Sequence, residues 1–199
     1  MNSNYERTFV AIKHDGIQRS LVGEIIKRFE RAGLKMTAMK MMIPSEERIF
    51  EHYGKDDVWF EKKGKLFIEN LEKEGKTPEK DAIEYGKDII RALAKFFVSG
   101  PMIAMVVEGI HARAVVKKLV GGTEPMTSDV GTIRGDFTLD SYAMANSDNR
   151  GVRNLIHCSD EPEEAEREVI LWFGEDEIIK YRHIAEAMLT DINLDGYLE

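Results

Sequence analysis

Two spacings of apolar residues alternate along the chain, and each predicts a different element. Residues 7–13 (RTFVAIK) have an apolar middle, and residues 102–107 (MIAMVV) are almost unbroken in their hydrophobicity. Short apolar runs of this kind are typical of strands in the middle of a sheet. We predict a third strand over residues 35–43 and a short buried strand at residues 155–156, which carries His157 at its end.

Between these strands the apolar residues follow helical spacing. Within residues 18–31 they line one helix face: Leu21, Val22, Ile25, Ile26 and Phe29. Further helices are predicted over residues 45–53, 59–71, 88–98, 112–120, 163–173 and 175–189. Residues 73–87 are polar and charge-dense, which predicts a surface excursion. Residues 123–154 are rich in turn residues, with a long loop predicted over 136–153.

The order of these elements is β-α-β-α…β-α…β-α, with neither an internal repeat nor a low-complexity linker. This order favours a single domain over residues 1–199 with an α+β fold. We predict a ferredoxin-like βαββαβ antiparallel sheet with added helices. The tail from about residue 190 to 199 is predicted to be an exposed C-terminal arm.

Composition and charge narrow the class of protein. The 199 residues are 43% hydrophobic and 32% charged, as in ordinary globular proteins. The net charge of -8 argues against general coating of nucleic acid or an anionic membrane, although it leaves room for a local phosphate pocket. Cys158 is the only cysteine, which excludes an intramolecular disulfide and a Cys-based metal cluster. No apolar run approaches 18 residues, so we expect a soluble cytoplasmic protein.

Cationic residues recur where loops meet the ends of predicted strands and helices: Lys13, Lys117, Arg134 and Arg153. Guanidinium and ammonium groups suit a polyphosphate, and glycines on both sides of residues 132–134 would let the backbone approach an anion. The sequence contains neither GxxxxGK[ST] nor a kinase-type glycine loop. If phosphoryl transfer takes place, His157 is the candidate nucleophile, because a neutral imidazole attacks phosphorus well.

The chain resembles the nucleoside diphosphate kinase family in four segments that occur in the family's order. These segments are ERTFVAIKHDGIQRSLVGEIIKRFERAGLKMTAMK, SGPMIAMVVEG, GTIRGDF and RNLIHCSDEPEEAEREVILWF, and the resemblance covers most of residues 5–175. The resemblance implies a ferredoxin-like fold with added helices. It also implies that the terminal phosphate of a nucleoside triphosphate moves to a nucleoside diphosphate, by a ping-pong route through phosphohistidine with Mg²⁺.

The resemblance assigns catalytic roles to five residues, of which three lie in the last segment and the other two are Lys13 and Tyr53. His157 stands at the family's nucleophile, and Glu168 matches the carboxylate that orients the imidazole through its other ring nitrogen. Ser159 matches a hydroxyl near that pair. The attacking nitrogen is then expected to be free.

Further matches imply a nucleotide site. Lys13 and Asn154 match residues that contact the sugar and the phosphate path, whereas Arg134 and Thr123 match phosphate ligands. Tyr53, which follows His52, matches a tyrosine near the histidine and phosphates. Trp59 stands where the family stacks the base, with the neighbouring Phe60 as the alternative. No protein-only metal site is expected, because Mg²⁺ would be held mainly by substrate phosphates and water. The implied partners are ATP, other nucleoside tri- and diphosphates, and further copies of the chain in a tetramer or hexamer.

The sequence departs from the family pattern at three positions. His14 stands where the family usually has proline, Lys117 replaces an arginine at the phosphate site, and Cys158 replaces the glycine after the nucleophile, where a Cβ could crowd a turn. Two insertions, about residues 61–95 and 138–150, are similar to those of the longer archaeal-type members.

Two other functions are weighed against this one. The three departures are compatible with a catalytically weak member that acts as a nucleotide-binding or scaffold protein. A ferredoxin-like RNA-binding module fits poorly, because the chain is acidic and has no aromatic pair on a recognisable RNP-type strand. Neither a specific nucleic acid nor a membrane is expected as a partner. Surface or packing roles are predicted for the remaining histidines: His14, His52, His111 and His183.

Overall fold

The structure is a computed structural model that describes residues 4–54, 56–73, 75–148 and 150–191. In these residues four strands form one antiparallel sheet in the order β2-β3-β1-β4. The strands are β1 (Tyr5–Ile12), β2 (Lys35–Met42), β3 (Met102–Ile110) and β4 (Ile156–Cys158). This order, with helices between the strands, confirms the predicted α+β ferredoxin-like class.

Helices connect and follow the strands, and single 3₁₀ turns lie at Pro125–Thr127 and Glu175–Glu177. The α-helices of the described residues are α1 (His14–Gln18), α2 (Val22–Arg31), α3 (Glu46–Tyr53), α4 (Asp57–Lys73), α5 (Ala82–Val98), α6 (Ala112–Val120), α7 (Ile133–Phe137), α8 (Tyr142–Ser147), α9 (Pro162–Trp172) and α10 (Ala185–Thr190). Among them no helix is both long and apolar enough to cross a bilayer.

The sheet has an apolar core on each face, because successive side chains of a strand point to opposite sides. One core joins Val10 and Ile12 of β1 to residues of α2 and α6. The other joins Phe9 and Ala11 to residues of α5 and α9. Residue pairing in the sheet then decides where β4 points its side chains. His157 pairs with Ala11 and shares the α9 face, whereas Cys158 pairs with Val10 and enters the opposite core.

The structure corrects the prediction of one helix over residues 18–31. The chain forms the short helix α1 directly after β1 and turns at Ser20, whose φ is 56°, before α2 begins at Val22. A left-handed backbone interrupts a right-handed helix, and the apolar pattern cannot report it. Gly16 of α1 packs tightly, since a Cβ there would lie 2.8 Å from Ile12 Cγ2.

Helices α4 and α5 form a hairpin, and this corrects the surface excursion predicted over residues 73–87. Helix α5 begins at Ala82, where the Asp81 side chain accepts a hydrogen bond from the Glu84 amide at 2.9 Å. Gly64 and Gly86 allow the two helix backbones to touch, because a Cβ on either would overlap the backbone of the other helix. Residues 82–87 are therefore helical, and Gly86 faces α4.

The prediction of one continuous helix over residues 175–189 is also wrong. After one 3₁₀ turn the chain runs along the outer edge of β2, where the Ile179 amide donates to the Thr37 carbonyl at 2.8 Å. Only α10 is helical, and Lys35 of β2 anchors it through an ion pair of 2.7 Å with Glu186. Bonds to an edge strand replace the helical bonds that local sequence favoured. Residues 192–199 of the predicted arm lie outside the described residues.

The loop predicted over residues 136–153 contains the helix α8. Ser141 caps it by accepting from the Met144 amide at 3.2 Å. Arg150 donates both terminal nitrogens to Asp140, and this hydrogen bonding lowers the pKa of Asp140 to about 2. An ion pair with two parallel hydrogen bonds closes the segment onto itself, which is how a turn-rich sequence acquires a defined shape.

Candidate active site

Strand β4 and helix α9 bring His157 and Glu168 together. His157 Nε2 lies 2.9 Å from Glu168 Oε2, and the Ser159 hydroxyl donates to the same oxygen at 2.7 Å. An ionised carboxylate can only accept, so the imidazole proton is on Nε2 and the lone pair is on Nδ1. The His157 side chain is 20% exposed, which leaves it accessible from solvent.

Glu168 is held as an anion. Its burial disfavours the charge, but the adjacent His157, with help from His52 and the Ser159 hydroxyl, lowers the pKa of Glu168 to about 2. The carboxylate is therefore ionised at neutral pH and fixes the direction of the imidazole ring. An anion in this position also stabilises positive charge that develops on the ring during attack.

A second imidazole, His52 at the end of α3, lies against the first. The two ring centroids are 4.4 Å apart at an interplanar angle of 77°. Trp172 donates its indole N–H to His52 Nδ1 at 3.1 Å, and an indole cannot accept, so His52 carries its proton on Nε2. Burial first, and then His157, lowers the pKa of His52 to about 3. His52 is thus a neutral, fixed group packed beside His157, and its burial agrees with the packing role that the sequence analysis predicted as one of two alternatives.

Arg167 of α9 holds α3 in place. It donates to the carbonyls of Glu51 at 3.0 Å and His52 at 2.7 Å, and lies 3.6 Å from Glu168. The last carbonyls of a helix lack intrahelical donors, so an arginine there satisfies them. Neither Arg167 nor the His52–Trp172 pair had a local sequence signal, because their partners are more than 100 positions apart.

Lys13 and Asn154 form a buried polar pair near the start of β4. Lys13 Nζ donates to Asn154 Oδ1 at 2.6 Å, and Asn154 Nδ2 donates to the Thr123 carbonyl at 2.8 Å. Burial, with the positive charge of Arg134 as the next cause, lowers the pKa of Lys13 to about 8. The structure therefore brings three predicted site residues into one chain of hydrogen bonds.

Arg134 is engaged with the backbone. Its Nε and one terminal nitrogen donate to the carbonyls of Asn154 at 3.2 Å and Ile156 at 2.6 Å. Its other terminal nitrogen donates to the carbonyls of Gly121 at 3.2 Å and Gly122 at 2.9 Å. These bonds use four of the five N–H donors of a guanidinium. The buried Arg134 thus clamps the residues before His157 to the end of α6, and one donor is left for a ligand.

The other predicted ligands are less closely grouped. Lys117 forms an ion pair with the exposed Asp160, the residue after Ser159, whereas Thr123 is exposed. Tyr53 packs its ring 5.2 Å from that of His52, and burial raises the pKa of its hydroxyl. Each of these residues borders the cluster around His157 or the loop that Arg134 clamps.

Trp59 and Phe60, the two candidates for the base platform, are neighbours in the first turn of α4. Their ring centroids are 5.7 Å apart and the rings meet edge to face. They lie on the hairpin whose other helix, α5, carries Phe97 to within 5.0 Å of Lys13 Nζ. The structure does not separate the two candidates.

Cys158 does not crowd a turn, as the sequence suggested it could. It lies within β4 and is buried among aliphatic side chains of the core opposite His157. Burial raises the pKa of its thiol to about 11, so the group is neutral and unreactive at physiological pH. Cys158 therefore lies on the opposite face of the sheet from His157, and its substitution for the family's glycine does not alter the surroundings of the imidazole.

Comparison with known proteins gives a consistent result. A family model described as nucleoside diphosphate kinase matches residues 6–74 and 80–178. A protein named nucleoside diphosphate kinase from Pyrobaculum aerophilum is 42% identical over 180 residues, which cover 88% of this chain and 98% of that protein. The solved structure of an NDP kinase from Pyrobaculum aerophilum has a TM-score of 0.83 and 41% identity, covering 88% of this chain and all of that one.

Two further solved structures contain nucleotides. A transition-state mimic of the nucleoside-diphosphate kinase from Borrelia burgdorferi, with bound vanadate and ADP, has a TM-score of 0.77 at 34% identity. It covers 92% of this chain and 96% of its own. A halophilic nucleoside diphosphate kinase from Halobacterium salinarum in complex with CDP has a TM-score of 0.69 at 34% identity, covering 94% of this chain and 99% of its own.

Proposed function

Because this chain belongs to the nucleoside diphosphate kinase family and is therefore a phosphotransferase, we propose how it carries out the transfer. The terminal phosphate of a nucleoside triphosphate passes to Nδ1 of His157 and then to a nucleoside diphosphate, in a ping-pong sequence. The observation that supports this route is the His157 Nε2 to Glu168 distance of 2.9 Å, which leaves Nδ1 with its lone pair in a partly exposed position.

Both half-reactions balance without an external base. Nδ1 attacks the γ-phosphorus, the N–P bond forms, and the bond from phosphorus to the bridging oxygen breaks, so that a nucleoside diphosphate leaves. The Nε2 proton stays on the ring, where Glu168 accepts it in a hydrogen bond. In the second half-reaction a terminal phosphate oxygen of the acceptor attacks the same phosphorus and His157 leaves as neutral imidazole.

Cationic groups would stabilise the charge on the transferred phosphate. Lys13 is directed from the end of β1 by Asn154, and Arg134 has one donor left beyond its backbone bonds. Lys117 would exchange its exposed partner Asp160 for a phosphate oxygen. Fixed cations and donors of this kind lower a barrier because they need no reorganisation during the reaction.

The family implies a divalent cation, and we propose Mg²⁺. One group in the described residues could hold a metal ion, His52 with His157 and Glu168, and it offers two nitrogens and one carboxylate. That donor set suits transition metals, whereas Mg²⁺ prefers oxygen and retains water. The chain therefore fits a magnesium ion that arrives with the nucleotide phosphates. When bound, Mg²⁺ would neutralise part of the negative charge of the nucleotide phosphates.

The proposed substrates are ATP and other nucleoside tri- and diphosphates. Relatives of this chain are seen with ADP and with CDP, a purine and a pyrimidine nucleotide. A stacking platform at Trp59 or Phe60 would accept either, because every base has a π-face. We also propose a homo-oligomer, tetramer or hexamer, since Met39, Met41 and Ile43 on the sheet edge are 47%, 61% and 67% exposed. Analytical ultracentrifugation would measure it.

A labelling experiment tests the reaction. The protein is incubated with γ-labelled ATP and Mg²⁺ in the absence of an acceptor, and GDP is added afterwards. We expect acid-labile, base-stable label on the protein that moves quantitatively into GTP. Absence of label at saturating ATP, with nucleotide still bound, would exclude the kinase and favour a nucleotide-binding scaffold.

The alkaline limb of the pH–rate profile should report Lys13. Its pKa is lowered to about 8 by burial, so the ammonium loses its charge well below the usual range for lysine. We expect kcat/KM, which reports the free enzyme, to fall by about tenfold per pH unit above that pKa. Lys13→Arg stays charged and should remove the decline, whatever its absolute rate. A flat wild-type profile up to pH values near the ordinary lysine pKa would refute this role.

Glu168→Gln should lower kcat far more than it changes KM. An amide can donate its N–H to Nε2 of His157, which would move the ring proton to Nδ1 and remove the attacking lone pair. We expect a loss of about 10²-fold to 10⁴-fold in kcat, the range found when other catalytic protons are misplaced. Ser159→Ala serves as the control, because it removes one bond to the same oxygen but leaves the carboxylate. Equal rates for Glu168→Gln and the wild type would contradict the assignment.

A further inference from the structure

We propose that His14 is a positioning residue, which couples the α4–α5 hairpin to Lys13 and releases this coupling when its imidazole is protonated. The inference rests on the proposed function, because Lys13 and the hairpin would act there on the same nucleotide. His14 is one of the three departures from the family pattern, so the device would be particular to chains with a histidine at this position.

His14 contacts the last turn of α5 through both its ring and its polar edge. Its ring centroid lies 4.3 Å from that of Phe96, and its Nε2 lies 3.3 Å from the Ser99 hydroxyl oxygen. The Ser99 hydroxyl donates its one hydrogen to the Phe96 carbonyl at 2.7 Å, so its oxygen accepts from Nε2–H of His14. Gly100 completes the contact, since a Cβ there would lie 2.8 Å from the Cβ of His14.

The same turn of α5 also contacts Lys13. Lys13 Nζ lies 5.9 Å from the centroid of Phe96 and 5.0 Å from that of Phe97. At its other end α5 packs on α4 with backbone against backbone, at Gly86 and Phe60. A displacement of α5 therefore moves the first turn of α4, with its aromatic pair, relative to the lysine. His14 lies at the junction where the two halves of the nucleotide site meet.

The junction should depend on the charge of His14. With Nε2–H donated to Ser99, Nδ1 is a buried acceptor without a hydrogen-bond partner in the described residues. Protonation would place a second donor there with nothing to accept it. Burial is the main cause that lowers the pKa of His14 from 6.5. Of the charged neighbours, Lys13 and Arg153 act in the same direction and Asp15 opposes them. The junction is then intact at neutral pH and weakens as the pH falls through the pKa of His14.

Three substitutions separate packing from titration. His14→Phe keeps a ring against Phe96 but cannot be protonated. His14→Ala removes the ring, and His14→Pro removes it while keeping a residue that suits the first position of α1. Thermal unfolding and circular dichroism establish that each variant is folded. The KM for nucleotide and kcat are then measured between pH 5 and 8, together with the equilibrium Kd for ADP.

We expect KM and Kd of the wild type to rise several-fold in acid relative to His14→Phe, whose profile lacks this component. His14→Ala and His14→Pro should raise KM by about threefold to tenfold at every pH, the effect of one lost aromatic contact, with a smaller change in kcat. Wild-type values of KM and Kd in all three variants would overturn the inference. If the wild type binds ADP but transfers no phosphate, the proposed function fails, and the Kd profiles still decide the role of His14.

Discussion

Replacing His157 with alanine is expected to abolish the phosphoenzyme and to lower phosphotransfer by at least about 10⁴-fold, because the variant lacks the proposed nucleophile. The rest of the site should survive. His157 is partly exposed, and Glu168 keeps its bond from Ser159 at 2.7 Å. Labelling with γ-labelled ATP, acid treatment and transfer to GDP measure the outcome, and nucleotide binding confirms that the variant is intact.

The neighbouring imidazole provides the matched control. His52→Gln keeps an oxygen that can accept the hydrogen bond from Trp172. The substituted side chain lies beside the nucleophile candidate, since the ring centroids of His52 and His157 are 4.4 Å apart. It should slow transfer yet still form the labelled protein. If label persisted in His157→Ala and disappeared in His52→Gln, the nucleophile would be His52 and the assignment of His157 would be wrong.

Arg134→Met is expected to reduce both stability and activity. The substitution removes the four hydrogen bonds that Arg134 donates to the backbone carbonyls of Asn154, Ile156, Gly121 and Gly122. Removing one side of a buried charged network costs about 3 kcal/mol or more, so the free energy of unfolding should fall by that amount. We also expect phosphotransfer to drop by about 10²-fold, because the residues before His157 lose their anchor. Urea unfolding and kcat/KM measure the two effects.

Two further substitutions sharpen this test. Arg134→Lys should recover only part of the stability, since an ammonium cannot reach carbonyls on both sides of the clamp. Lys117→Met removes another predicted phosphate cation, but its partner Asp160 is exposed, so stability should change by no more than about 0.5 kcal/mol while activity falls. If Arg134→Met had the same urea midpoint of unfolding as the wild type, the guanidinium would not stabilise the fold through its bonds to the carbonyls. Its role would then be limited to binding phosphate.

The sequence predicted those elements whose partners lie in the local pattern. The strands around Val10 and Val106 carry enough consecutive apolar residues to identify a buried sheet, and α6 and α9 follow helical spacing between clear boundaries. The predictions failed at Ser20, whose left-handed backbone splits a helix, and after residue 177, where the Ile179 amide donates to the Thr37 carbonyl of β2 instead of continuing a helix. In each case the tertiary environment outweighs the local preference.

By itself the sequence predicted the groups that we propose to react. The ten residues between His157 and Glu168 span the end of a short strand, a turn and two turns of helix, and this arrangement returns the carboxylate to the imidazole. Tertiary structure alone decided the proton positions and the supports. The indole of Trp172 sets the tautomer of His52, and the carbonyls around β4 occupy most of Arg134. The reason is that a hydrogen bond depends on positions within about 3 Å in space, and no periodicity along a chain encodes such distances between remote residues.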